Sequence, residues 1–170
     1  TYCSKSYDQL KEGIYADIET SKGNMVVKLE FQKVPNTVAN FITLSEGKNP
    51  FVSDEFKNKP FYDGLKFHRV IADFMIQGGD PQSRVAADGS NLRGDDLDYT
   101  VPAQFRIPKY LNKKGALAAA RTGEDVNPNR ESSAIQFYIV TGKKYSDKEL
   151  NKIEQQRQEK MVQKRFNELK

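Results

Sequence analysis

The chain has 170 residues, of which 37% are hydrophobic and 29% are charged, and its formal net charge is +4. This length suits one domain with its own core, and no apolar run reaches the ~20 residues that a transmembrane helix needs. Residues 143–170 carry the whole positive excess, with nine Lys/Arg against five Asp/Glu. Because these charges alternate with Glu and Gln and have few aromatic neighbours, the composition argues against a nucleic-acid partner.

The single cysteine, Cys3, lies in a polar tail that spans residues 1–13. One cysteine cannot form an internal disulfide, but a lipid-modified cysteine would anchor the chain to a membrane surface. Two locations therefore stay open. An extracytoplasmic one, periplasmic or lipid-anchored through Cys3, is favoured over a cytoplasmic one.

The first elements are a predicted hairpin and a predicted helix. Apolar and polar residues alternate at 14–19 and 25–31 on either side of the turn SKGN, which indicates a β-hairpin. A helix over 34–48 is bounded by Pro35 at its start and Gly47 at its end. Its inward-facing residues would be Val38, Phe41, Ile42 and Leu44.

Several short strands follow this helix. They are predicted at 61–71, 74–79, 100–105, 115–121 and 134–142. Many short strands with one flanking helix indicate a mainly β fold, either an antiparallel barrel or a sandwich.

The C-terminal segment has a different pattern. Ser146 and Glu149 have the spacing of a capping box, which marks the start of a helix. The apolar stripe that follows is thin and interrupted, so we expect residues 146–170 to form one long helix that projects from the domain. The predicted organisation is a tail at 1–13, a domain at 14–142 and a basic helical extension at 143–170.

The stretch FHRVIADFMIQGGD, residues 67–80, carries the strongest functional signal. Period-two alternation places Phe67, Arg69 and Ile71 on one face of a strand, and Met75 with Gln77 on one face of the next. Gly78 and Gly79 permit a close backbone approach. One guanidinium and one amide above apolar side chains predict the wall of a binding pocket.

Other kinds of site lack support in the sequence. One histidine and one cysteine are too few for a His/Cys metal site, and no motif orients His68 towards a serine nucleophile. The spacing of Asp95, Asp96 and Asp98 is not that of a calcium loop, and no glycine-rich phosphate loop is present. We therefore expect no cofactor and no metal.

Four motifs resemble those of the cyclophilins, the cyclosporin-binding peptidyl-prolyl isomerases. FYDGLKFHRVIADFMIQGGDP resembles the family signature, and VPNTVANF resembles the first-helix motif. GALAAAR and SSAIQFYIV are similar to two of the family's strands. The motifs occur in family order within residues 14–142, and they imply a cyclophilin-like antiparallel β-barrel with one flanking helix.

The resemblance also implies an activity, which is the isomerisation of X–Pro bonds in unfolded or extended polypeptides during protein folding. Arg69 would be the catalytic donor to the twisted amide, and Gln77 would orient it. The residues that would bind the substrate are His68, Phe74, Met75, Gln77, Ala119, Ala120, Arg121, Gln136 and Tyr138. Each of these residues could instead have a purely structural role. Arg69 could be an ion-pair partner at the surface, Phe74 and Met75 could belong to the core, and His68 could be a structural histidine.

The sequence also departs from the family pattern. IADF replaces the usual Ile-Pro-Gly-Phe turn, and the Gly-Thr-Gly-Gly run is missing from the segment DGSNLRGDDLDYT at 88–100. The family's Trp-Leu-Asp-Gly-Lys-His segment, its Val-Phe-Gly strand and its closing strand and helix have no counterpart. We therefore expect a barrel that is incomplete at its C-terminal end and binds cyclosporin-type ligands weakly. A second copy or a detached C-terminal segment would complete it.

Because of these departures, two functions stay open. The first is an isomerase that acts on proline-containing polypeptides. The second is a proline-peptide-binding or scaffolding module with weak or no turnover, because the far wall of the proline pocket is missing.

Overall fold

The computed structural model of the protein describes residues 10–92, 97–107 and 109–168. Cys3, Asp95 and Asp96 lie outside these ranges. The elements, in chain order, are β1 (Ile14–Ile18), β2 (Met25–Leu29), α1 (Pro35–Ser45), β3 (Arg69–Ile71), β4 (Met75–Gly78), a short 3-10 helix (Pro81–Arg84), β5 (Thr100–Val101), β6 (Leu117–Ala119), β7 (Ser132–Ser133), β8 (Phe137–Val140) and α2 (Asp147–Glu168).

Strands β1 and β2 form the predicted antiparallel hairpin. Ile14 lies opposite Leu29, and Ile18 lies opposite Met25. The connecting turn is closed by the hydroxyl of Thr20, which donates to the carbonyl of Gly23 at 2.7 Å. Threonine hydroxyls commonly bond to nearby backbone groups in turns in this way.

The central sheet contains four antiparallel strands in the order β3-β4-β8-β6. Strand β8 lies between β4 and β6, so β3 and β6 form the two edges. Strands β5 and β7 make a separate two-stranded ladder, in which Thr100 lies opposite Ser133. The mainly β, antiparallel architecture predicted from the sequence is confirmed.

Residues 61–68 were predicted as part of a strand, and this prediction is wrong. The backbone of this segment bonds to other partners than a neighbouring strand. The amide of Phe61 donates to the carbonyl of Leu44, Leu65 donates back to Tyr62 within a turn, and Lys66 donates to the hydroxyl of Ser83. The extended ladder therefore begins only at β3.

Helix α1 packs against the central sheet through the ring of Phe41. Pro35 occupies its first turn, and Gly47, with a φ of 67°, follows its end. Leu44 is fully buried within the main core cluster. The ring of Phe41 meets the ring of Phe137 edge-on, with 5.8 Å between their centroids. This contact joins the helix to β8 and defines the inner face of the sheet.

Helix α2 confirms the predicted long C-terminal helix. The backbone amide of Ser146 donates to Glu149 Oε2 at 2.9 Å, and the amide of Glu149 donates to Ser146 Oγ at 3.3 Å, which is a capping box. Hydrogen bonds from Lys143 and Ser146 lower the pKa of Glu149 to about 2. Apart from Glu149, which is half-buried, the described side chains of α2 are exposed. None of the described helices has the length and apolar character to cross a membrane.

The backbone at Gly79 packs closely against Ile135 and Gln136, the two residues that precede β8. Its φ is 100°, and a Cβ placed there would lie 2.8 Å from Gln136 Cα and would also overlap the carbonyl oxygen of Ile135. Gly64, with a φ of 74°, has open space at the same position. We expect Gly64→Ala to lower the free energy of unfolding by about 1–2 kcal/mol through backbone strain alone. Gly79→Ala should cost roughly twice as much or more, as measured from urea unfolding midpoints. Equal costs would contradict the close packing.

Candidate active site

The residues expected at the centre of the site form a row across the sheet. Arg69 on β3 lies opposite Gln77 on β4, and Gln77 lies opposite Tyr138 on β8. Directly opposite residues in antiparallel strands project to the same face. The row therefore lies on the outer face, away from Phe137 and helix α1.

Two hydrogen bonds connect the polar members of this site. Arg69 Nη1 donates to Gln77 Oε1 at 3.1 Å, and Gln77 Nε2 donates to Gln136 Oε1 at 2.7 Å. A guanidinium has five N–H donors, and the bond to Gln77 uses one of them. Gln77 is thus placed to orient Arg69, and four N–H donors of Arg69 take no part in this bond.

Apolar side chains lie beside this polar chain. Met75 is 1% exposed and lies opposite Val140, whereas Phe74, on the turn before β4, is 51% exposed. The rings of Phe74 and Tyr138 have their centroids 6.4 Å apart. Met75 is therefore buried, which agrees with the alternative that it is a core residue. Phe74 and Tyr138 form the accessible apolar area.

The hydroxyl of Tyr138 has a partner that the sequence did not indicate. Asn112 Nδ2 donates to the Tyr138 hydroxyl oxygen at 2.7 Å. Burial raises the pKa of Tyr138, and the positive charge of Arg121 acts in the opposite direction. The phenol is therefore neutral at neutral pH and keeps its own proton for donation. Asn112 lies in an irregular loop, where no periodic pattern could have singled it out.

His68 is half-buried beside Arg69. Burial lowers the pKa of His68 below its ordinary value, the charge of Arg69 lowers it further, and the carboxylate of Asp80 opposes both. Among the described residues, His68 Nδ1 has no hydrogen-bond partner, and neither has Oδ2 of the fully buried Asp80. The imidazole is therefore neutral at pH 7 and adds no charge to the site.

Strand β6 forms an open edge next to this row. The amide of Ala120 donates to the carbonyl of Gln136 at 2.9 Å, and its carbonyl accepts from the amide of Ser133 at 2.8 Å. Alternate residues of an antiparallel edge strand direct their backbone groups outwards, and the register assigns Leu117 and Ala119 to this set. The outward backbone groups of Ala119 are those that pairing with an added chain would require, whereas Ala120 has no free amide donor.

A cavity of about 540 Å³ separates the β1–β2 hairpin from β6 and β8. Its lining includes Gln136, Tyr138, Ala119 and Arg121 but not Arg69, Phe74, Met75 or Gln77. The structure therefore places the predicted site residues along two connected surfaces. One is the outer face of β3 and β4, and the other is the cavity beside β6. No group of His, Cys, Asp and Glu among the described residues could hold a metal ion.

Comparison with known proteins identifies the family. A family model described as "Cyclophilin type peptidyl-prolyl cis-trans isomerase/CLD" matches residues 15–161. The chain belongs to the cyclophilin family. Isomerase activity is indicated by this family and by the names of the bacterial relatives.

Three of these relatives illustrate the degree of similarity. The probable peptidyl-prolyl cis-trans isomerase A of Mycobacterium leprae is 33% identical over 144 residues, which is 83% of this chain and 71% of that protein. The peptidyl-prolyl cis-trans isomerase B of Streptomyces anulatus is 43% identical over 134 residues, 77% of this chain and 69% of that protein. For isomerase A of Mycobacterium tuberculosis the share of the relative is 64%. The chain thus spans roughly two thirds of these cyclophilins.

A solved cyclophilin shares the fold. The cyclophilin-type isomerase of Cryptosporidium parvum, crystallised in the presence of the dipeptide Ala-Pro, superposes with a TM-score of 0.54 at 25% identity. The match covers 75% of this chain and 67% of that one. The cyclophilin-like fold predicted from the sequence is confirmed.

The neutral state of His68 can be tested directly, because His68 is the only histidine of the chain. We expect its C2–H proton to titrate by NMR below the ordinary value of about 6.5. The unfolded chain binds this proton more tightly than the folded one. The stabilisation from neutral His68 is therefore complete above about pH 6.5 and is lost as the pH falls through the folded pKa.

Asp80→Asn removes the charge that favours protonation, so it should lower the pKa of His68 further. His68→Gln should abolish the change in stability across the same pH window. A pKa at or above the ordinary value in the unmodified chain would show that burial does not dominate.

Proposed function

We propose that this cyclophilin accelerates rotation about X–Pro bonds in unfolded or extended polypeptides, with Arg69 as the catalytic donor. The observation that carries the proposal is the hydrogen-bonded chain Arg69–Gln77–Gln136 beside the accessible rings of Phe74 and Tyr138. The presence of Ala-Pro in the Cryptosporidium crystal supports a proline-containing peptide as the ligand of this surface.

The chemistry explains why one guanidinium is sufficient. An X–Pro bond rotates slowly because the nitrogen lone pair is delocalised into the carbonyl, which gives a barrier of roughly 18–20 kcal/mol. When the amide twists, the lone pair returns to the nitrogen, which becomes a hydrogen-bond acceptor. A donor that meets the nitrogen only in the twisted state lowers the barrier without stabilising the planar state.

The surroundings of Arg69 favour this role over that of an ion-pair partner. No acidic side chain in the described ranges is paired with Arg69, and its one hydrogen-bond partner is the neutral amide of Gln77. Its charge is therefore available to a ligand. The rotation breaks no σ bond and transfers no proton, so neutral His68 is compatible with it.

A second candidate function is a proline-peptide-binding module with weak or no turnover. It is favoured by the exposure of Phe74 and the burial of Met75, because together they leave the apolar surface open on one side. Such a surface would hold the proline ring less firmly than an enclosed pocket. Binding without acceleration would then be observed.

The proposal also includes partners other than proline-containing peptides. The open edge of β6 and the cavity beside it support pairing with another strand, from a second copy or from a detached C-terminal segment. We also expect cyclosporin-type ligands to bind weakly, because the pocket is incomplete.

The role of Arg69 is tested by Arg69→Ala in an isomerisation assay with a neutral Ala-Ala-Pro-Phe peptide. We expect kcat/KM to fall about 100-fold or more, because one preorganised donor to the transition state is lost. Peptide affinity, measured by fluorescence anisotropy, should change little. Arg157→Ala on the exposed helix α2 is the control and should retain full activity. Full turnover by folded Arg69→Ala would refute this mechanism, and binding without turnover in the unmodified chain would select the second function.

Phe74→Ala tests the apolar area separately. The ring is half-exposed, so its loss should cost roughly 1 kcal/mol of stability or less, as judged by thermal unfolding. Because the ring would contact the proline in both the planar and twisted states, we expect KM to rise while kcat stays close to that of the unmodified chain. A selective loss of kcat would instead place Phe74 in the stabilisation of the twisted amide.

A further inference from the structure

Two arginines next to the site share one carboxylate. Arg121 Nη2 lies 3.3 Å from Glu124 Oε1, and Arg130 Nη2 lies 3.1 Å from Glu124 Oε2. Glu124 carries a single negative charge, so it neutralises only one of the two guanidinium groups. The three side chains together retain one positive charge.

Arg121 places this excess charge where a bound chain would pass. It follows β6 by two residues, and β6 is the open edge of the sheet. Its guanidinium carbon lies 5.8 Å from the ring centroid of Phe105, and its side chain is 31% exposed. The charge of Arg121 also acts on Tyr138 of the outer-face row, where it opposes the rise in the pKa of Tyr138 that burial causes.

The surroundings of the cavity have the same sign. Its charged lining consists of four basic residues and one acidic residue, namely Lys28, Lys33, Arg106, Arg121 and Glu30. Glu30 also accepts a hydrogen bond from the hydroxyl of Tyr110 at 3.3 Å. An anionic group that enters this cavity therefore meets a mainly basic lining.

We propose that the guanidinium of Arg121 selects X–Pro substrates that carry an acidic side chain within two residues of the proline. The inference rests on the isomerase function proposed above, and it adds the class of substrate. An incoming carboxylate would join Glu124 between the two arginines, where it supplies the missing negative charge. A guanidinium suits this role because its planar fork of donors can bind two carboxylates at once.

The experiment compares three peptides at low ionic strength. One is neutral Ala-Ala-Pro-Phe, one has Glu two positions before the proline, and one has Glu two positions after it. Both Kd and kcat/KM are measured. We expect one acidic peptide to be favoured over the neutral peptide by roughly two- to fivefold, the size of a partly exposed ion pair. The ratio should approach one as salt screens the charges.

Three variants assign the preference to its source. Arg121→Gln should remove the preference for the acidic peptide, whereas Glu124→Gln should increase it because Arg121 loses its competing partner. Arg157→Gln on α2 makes the same change in net charge away from the site, so it should leave the ratio and the basal activity unchanged. Thermal unfolding confirms that each variant is folded.

The outcomes separate this inference from the function on which it rests. Turnover of the neutral peptide reports the isomerase, and the ratio of Kd values for acidic and neutral peptides reports the selectivity even if turnover is absent. No preference in the unmodified chain, or a preference that survives in folded Arg121→Gln, would overturn the assignment to Arg121.

Discussion

The register of three antiparallel strands is the constraint on which the site depends. Arg69, Gln77 and Tyr138 share a face only because β3, β4 and β8 pair opposite one another at these positions. A slip of one residue would turn these side chains to the opposite face. The register is held by packing on both faces, with Met75 buried on the outer side and Phe137 against α1 on the inner side. The arrangement of the candidate site and the packing of the core are therefore set by the same strands.

The neighbours of Arg69 orient its guanidinium without neutralising its positive charge. Gln77 and Gln136 are amides, Tyr138 is a neutral phenol, and burial keeps His68 uncharged. A carboxylate in place of Gln77 would hold the guanidinium more tightly, but it would also neutralise the charge that Arg69 offers to the twisted amide in the proposed mechanism. Neutral partners orient Arg69 and leave its charge uncompensated.

Sequence reasoning succeeded where local patterns determine structure. The hairpin, α1 and the capping box at Ser146 are all set by residues close in the chain. It failed at 61–68, where the hydrogen-bond partners Leu44 and Ser83 are distant in sequence. Strand β7 has two residues, which is too short for any periodicity, and Asn112 was missed for the same lack of a pattern. At the site, the family motif indicated the candidate residues, but only the strand register showed that Ala119 and Ala120 differ in their free backbone groups.

Helix α2 has a consequence for the motion of the whole molecule. Its 22 residues correspond to a rod of roughly 33 Å, and its described side chains other than Glu149 are exposed along that length. Its start is fixed by the bonds among Lys143, Ser146 and Glu149, which attach it to the residues that follow β8. A body with such an arm tumbles faster about the rod than across it. Because the N–H vectors of an α-helix lie nearly parallel to its axis, the amides of α2 would share similar relaxation rates, and the amides of the sheet would differ from them according to their angle to the rod.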